Sequence, residues 1–230
     1  MTPLLLVPGL GCTARLYAPQ VAALADVAET HIVDHGSHAS IAEIAAAALA
    51  AAPPRFALAG LSMGGYVAFE MMRQAPERIA RLALLDTMAR PDLPAILERR
   101  HRHLALIADG RYPEVTEALL PVLVHPDRLQ DTALVAVIRE MADATGAERF
   151  ARQMRAIMGR ADSRPTLGSI RCPTLVLVGA EDALTPPDLA REMHQAITGS
   201  RLVVVPDCGH LSTIERPEAV TVALRAWVAG

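Results

Sequence analysis

Residues Phe56–Met72 read FALAGLSMGGYVAFEMM. The first half is a continuous apolar run of strand character, and the second places apolar residues at helical spacing. Ser62 sits at the seam, inside Gly60-Leu61-Ser62-Met63-Gly64, which matches G-x-S-x-G. A strand that turns into a helix within one residue brings two backbone segments close together, and Gly60 and Gly64 supply the room. Such a turn exposes the serine hydroxyl above a helix N-terminus, where positive potential would meet developing negative charge. The pentapeptide alone could arise by chance in a Gly- and Ala-rich chain; the strand–turn–helix setting makes it specific.

Working outward, short β-type runs alternate with longer helical ones. The pattern predicts strands at Pro3–Val7, Thr30–Asp34, Arg55–Gly60, Arg81–Asp86, Pro173–Gly179 and Arg201–Pro206. Helices are expected near Pro19–Leu24, Ser40–Ala52, Gly64–Gln74, Asp188–Ile197 and Pro217–Val228, with Ser40 and Glu43 forming a capping box at the second. Continuous apolar strands separated by helices imply an α/β fold, a mostly parallel sheet with helices on both faces. From about Ala89 to Pro165 only helical periodicity remains, for example Leu134, Val135, Ile138, Met141 and then Phe150, Met154, Ile157. The expected division is a core of residues 1–88 and 166–230, with residues 89–165 inserted as a helical cap.

The 230 residues suit one domain of this kind and can bury a large core. Aromatics make up only 3%, so that core must be built from Ala, Leu, Val and Ile. All 22 basic residues are Arg, which with the abundance of Ala reflects genome composition rather than function. A net charge of −3 gives no reason to expect nucleic acid as a partner. Cys12, Cys172 and Cys208 lack zinc-type spacing and read as reduced thiols of a cytoplasmic protein. The apolar start is too short for a signal peptide or a membrane span, and Ser40–Ala52 reads as a soluble Ala-rich helix.

A serine hydroxyl needs a base to take its proton, and the base needs an acid to fix its tautomer. In this kind of sheet the partners follow in the order Ser, Asp, His, each just past a later strand. Asp182 in LVLVGAEDALTP and His210 in LVVVPDCGHLS satisfy that order. Asp86 also ends a strand and is the second candidate for the acid; Asp34 is expected to fix the loop after its own strand. His31, His35 and His38 straddle a strand end and a loop, so they read as surface or rim residues rather than metal ligands. His101 and His103, in an Arg-rich helix, are expected to be exposed. Cys12 reads as a small buried filler.

With GLSMGG, GAEDALTP and CGH as three signature loops, the chain resembles the α/β-hydrolases over nearly its whole length. By that resemblance it begins at the family's third strand, without the N-terminal hairpin of larger members. The resemblance implies Ser62 as nucleophile, His210 as general base and acid, and Asp182 as orienting acid. It also implies an oxyanion hole made by the N–H groups of Met63 and, by position, Leu10 in VPGLGC, where many relatives carry His-Gly in place of Pro8-Gly9. Serine at the nucleophile position argues against the dehalogenase and epoxide hydrolase branches. The expected activity is hydrolysis of a carboxylic ester, lactone or thioester through an acyl-enzyme, with no cofactor and no metal. A C–C bond hydrolase or perhydrolase could use the same residues, and a non-catalytic ligand-binding module is the reading from another class. Leu104, Ile107 and Met141 are expected to hold a small acyl substrate. The stretch ERRHRH (Glu98–His103) is expected to be a solvated helix face, the sharper reading being a basic patch for an acidic carrier protein.

Overall fold

The computed structural model describes residues 1–230 apart from the side chain of Thr2. Six strands, β1 (Thr2–Val7), β2 (Ala28–Ile32), β3 (Phe56–Leu61), β4 (Ile79–Leu85), β5 (Thr174–Gly179) and β6 (Arg201–Val205), form one sheet in the order β2-β1-β3-β4-β5-β6. Every pairing is parallel. β3 and β5 are buried along their whole length, as strands covered on both faces must be. β2 lies two residues earlier than Thr30–Asp34. It is an edge strand paired only with β1, with alternating burial, so its apolar signal marks the end poorly.

Ten α-helices complete the fold: α1 (Ala18–Ala23), α2 (Ile41–Ala51), α3 (Met63–Gln74), α4 (Pro94–Ala108), α5 (Tyr112–Leu123), α6 (Thr132–Met158), α7 (Arg164–Leu167), α8 (Pro187–Ala196), α9 (Ser212–Glu215) and α10 (Pro217–Ala229). Ser40 caps α2 by accepting the Glu43 N–H at 3.2 Å. One sheet face, with Leu5, Leu58, Leu82 and Val176, packs on α2, α3 and α8. The other, with Leu4, Ala59, Leu85 and Leu175, packs on α10 and the first half of α6. Side chains alternate across a strand, so a central strand must supply apolar residues to both layers.

Four helices, α4 to α7, lie between β4 and β5. α6 is broken at Gly146, whose φ of 73° and ψ of 159° are not helical. The two halves thus bury different surfaces. Leu134, Val135, Ile138 and Met141 join the layer on the sheet, whereas Phe150 and Met154 meet Tyr112 and Val115 of α5. Among the described residues no helix is long and apolar enough to cross a membrane.

Candidate active site

Ser62 stands between β3 and α3 with φ 55° and ψ −113°, a left-handed backbone that a non-glycine residue adopts only where its surroundings hold it there. Those surroundings are close. A Cβ on Gly60 would overlap the Gly64 carbonyl, and one on Gly64 would overlap the carbonyl of Val7. The Ser62 N–H donates to Leu85 O at 3.0 Å, and Thr87 Oγ1 donates to Ser62 O at 2.8 Å, tying the turn to the end of β4.

Three side chains meet here in a line. His210 Nε2 lies 2.9 Å from Ser62 Oγ, and His210 Nδ1 lies 2.8 Å from Asp182 Oδ2. The Asp182 carboxylate is further held by the Leu184 and Thr185 N–H groups on Oδ1, at 2.8 and 2.9 Å, and by Thr185 Oγ1 on Oδ2 at 2.6 Å. Burial works against its charge, but His210 and the Thr185 bonds outweigh that and hold its pKa below the ordinary carboxylate value. Burial also pulls on His210, downward; the charge and hydrogen bond of Asp182 prevail, leaving the imidazole above its ordinary pKa. With Nδ1–H directed to the carboxylate, Nε2 is the nitrogen free to accept a proton from Oγ.

Asp86 lies elsewhere. Its carboxyl accepts the Gly179 N–H at 3.0 Å and the Ser212 hydroxyl, and no bond links it to His210. Burial first, and then the charge of Asp182, push its pKa well above the carboxylate range. Asp34 accepts the N–H of Gly36 at 3.1 Å, fixing its loop, and pairs with Arg149.

The loop after β1 runs beside the serine: a Cβ on Gly9 would sit 3.5 Å from Ser62 Cβ. Among the described residues neither the Leu10 nor the Met63 N–H donates to a protein acceptor. The loop is held from outside by two side chains that sequence reading missed. Gln153 Oε1 accepts the Gly11 N–H at 3.0 Å, and His35 Nε2 lies 3.1 Å from Gly9 O. His35 is therefore buried, not a surface or rim residue, and its burial lowers its pKa. Gln153 left one signal, a polar residue on the face that carries Phe150 and Met154. Cys12 is buried beside the loop, its thiol pushed up to about 12 by burial.

Ser62 and His210 open into a cavity of about 120 Å³. Its walls are mainly apolar, among them Leu10, Leu61, Ile138, Met141 and Phe150. Met141 lines this cavity, whereas Leu104 and Ile107 do not; they pack into the helix–helix cluster around Tyr112 and Phe150. The part of α4 that faces the cavity is Ile96, Arg99, Arg100 and His103. His103 is half-buried rather than exposed, and ERRHRH is not simply a solvated face. Arg100 and Arg160 share Asp92, at 2.6 and 2.7 Å. Among the described residues no three His, Cys, Asp or Glu side chains gather as a metal site would require.

Residues 4–224 match the family model described as the alpha/beta hydrolase family. The chain belongs to that family. This alpha/beta hydrolase is similar in structure to a thermophilic esterase from Thermogutta terrifontis, at TM-score 0.90 and 32% identity, covering 100% of this chain and 90% of that one. It is similar also to the enol-lactonase of Burkholderia xenovorans LB400, at TM-score 0.91 and 28% identity over 100% and 92% of the two chains. Among curated proteins it is 30% identical to a protein named as the carbamate hydrolase RutD of Azorhizobium caulinodans, over 94% of this chain and 87% of that protein. The relatives and neighbours support a hydrolase enzyme.

Proposed function

We propose that this alpha/beta hydrolase is a serine hydrolase cleaving a small carboxylic ester, lactones included, through an acyl-enzyme. The observation that carries the reading is the unbroken relay from Ser62 Oγ through His210 to Asp182, at 2.9 and 2.8 Å. In the first half-reaction Ser62 Oγ attacks the carbonyl as His210 Nε2 takes its proton. Asp182 holds the tautomer and stabilises the imidazolium. The N–H groups of Leu10 and Met63 meet the oxyanion, the second with the start of α3 behind it. His210 then protonates the leaving oxygen, activates a water against the acyl-enzyme, and returns the proton to Ser62 as the acid departs.

Residues 89–165 serve as the cap in this reading, over a core of 1–88 and 166–230. The cavity's modest size and apolar walls suit a free small molecule. A carrier protein would need an outward basic patch, yet Arg99 and Arg100 line the cavity and Arg102 pairs with Glu98 at 2.9 Å. Three free thiols suit a reducing compartment such as the cytoplasm. The test is a fluorophosphonate probe combined with a panel of esters, lactones, thioesters and carbamates. Labelling confined to Ser62 and turnover of at least one oxygen ester are expected. Absence of labelling would favour a non-catalytic binding module, and turnover of C–C substrates or peracid formation alone would move the activity to those branches.

A further inference from the structure

The wall of the cavity formed by α4 has a charge its neighbours do not balance. Arg99 and Arg100 line it together with one buried carboxylate, Asp92, which already serves both Arg100 and, behind the lining, Arg160. Arg160 is almost fully buried, lies 4.2 Å above the Tyr66 ring, and has an Nε without a hydrogen-bond partner. Arg99 pairs with no acid among the described residues, whereas Arg100 and Arg102 on the same helix both do. The cations also act on one another's surroundings: His103 is held below its ordinary pKa by burial and then by Arg99, Arg100 and Arg102.

Away from Ser62, Thr185 and His210 the rest of the lining is mainly Leu, Ile, Met and Phe side chains, with Tyr66 and Thr116 among them. A guanidinium turned toward such a surface loses hydration and gains no counter-charge from the protein, which is unfavourable unless a ligand supplies it. Arg is also the side chain suited to a planar carboxylate, which it meets with two parallel N–H bonds. Asp92 is shared between Arg100 and Arg160, so it leaves Arg99, the other cation lining the cavity, without a protein counter-charge.

We propose that the α4 wall binds an anionic group of the substrate, with Arg99 as its direct partner, so that the substrate class is an ester or lactone bearing a free carboxylate. The proposal rests on the serine hydrolase reading for the bond that is broken, but not for the anion site itself. A half-ester of a short dicarboxylic acid has the required form. Its ester carbonyl meets Ser62, its methylene chain crosses the apolar floor, and its carboxylate reaches Arg99.

The test compares monomethyl succinate, glutarate and adipate with methyl butanoate, pentanoate and hexanoate, pairs in which a methyl group replaces the carboxylate. In the wild type at least one pair should show kcat/KM higher by tenfold or more for the acid. Arg99→Gln should lower that acid-to-neutral ratio at least tenfold, Arg99→Lys should restore part of it, and Arg102→Gln, on an exposed paired arginine, should leave it unchanged. A ratio near one in every pair, or an equal fall in Arg99→Gln and Arg102→Gln, overturns the proposal. Calorimetric binding of the same half-esters to Ser62→Ala separates the two readings. Binding that depends on Arg99, with no ester turned over by the wild type, keeps the anion site and discards ester hydrolysis. Loss of Arg99-dependent binding discards the anion site even if neutral esters are hydrolysed.

Discussion

Gln153 Oε1 accepts the N–H of Gly11 at 3.0 Å, joining two positions 142 residues apart in the chain. The bond anchors a helix of the inserted segment to the loop that carries Leu10. Gln153→Leu is close in size and removes the acceptor, leaving a buried N–H unpaired. If Leu10 serves the proposed oxyanion hole, a loop displaced by a fraction of an ångström weakens that contact while substrate binding survives. The expected result is a fall in kcat of roughly tenfold to a hundredfold with KM little changed. An effect confined to KM would place Gln153 in substrate binding instead.

Ser62→Ala should abolish fluorophosphonate labelling and ester turnover. The fold should persist, because Ser62 is fixed through its backbone bonds to Leu85 and Thr87 and its hydroxyl meets only His210. Thermal unfolding should match the wild type to within about 1 kcal/mol. Retention of most of the activity would remove the proposed mechanism.

Asp182→Asn should lower kcat by about 10⁴-fold, the loss typical of a triad deprived of its carboxylate. It should also shift the pH profile. The base must be neutral, and His210 titrates above its ordinary value of 6.5, so kcat/KM should rise with pH and reach half its plateau above 6.5. Without the Asp182 charge the largest upward influence is lost and burial is opposed only by the weaker pull of Asp86 and Glu215, so the half-point should move to lower pH. Stability follows the opposite sign. A raised folded pKa favours the native state when protonated, so this contribution is full below the unfolded value and lost as pH climbs through the folded one.

Asp86→Asn is the contrasting case. Burial works against the Asp86 charge in the fold, so asparagine costs little there, and it keeps an oxygen for the Gly179 N–H. Steady-state kinetics should show kcat within about an order of magnitude of the wild type. A loss as deep as that of Asp182→Asn would transfer the acid to Asp86.

Gly64→Ala should destabilise the protein by about 3 kcal/mol or more, since the new methyl meets the Val7 carbonyl, which belongs to a central strand and has no room to withdraw. Gly168→Ala makes a fair control. Its φ of −68° suits alanine and nothing lies within 4 Å, so denaturant unfolding should show a change within about 1 kcal/mol, in the stabilising direction.

Much of this could be read from the chain because the signals are local. The elbow residues, Asp182 and His210 each sit at the end of an apolar run, and strand ends are marked wherever a central strand gives way to glycine or a charge. Signals weakened where they depend on what lies across space. β2 was misplaced because an edge strand such as Ala28–Ile32 lacks a second neighbour to demand apolar residues. Leu104 and Ile107 have the right chemistry for a cavity, but helical periodicity does not say whether an inner face meets a ligand or another helix. For the same reason Arg99 looked like a solvated residue, and the burial of His35 and Gln153 is set by Gly9 and Gly11, remote in sequence.

The His210 and Leu211 N–H groups both donate to Leu123 O at 3.1 Å, at the last residue of α5. The Glu215 carboxylate accepts the His125 N–H at 2.8 Å just beyond. The inserted segment is therefore not an interchangeable module. A chimera that replaces the chain between β4 and β5 for new specificity must keep the native residues around Leu123–Arg128, or it will lose the backbone anchor of His210, the proposed general base. Grafts that exchange α4 alone, leaving that seam in place, are the ones expected to retain turnover while altering selectivity.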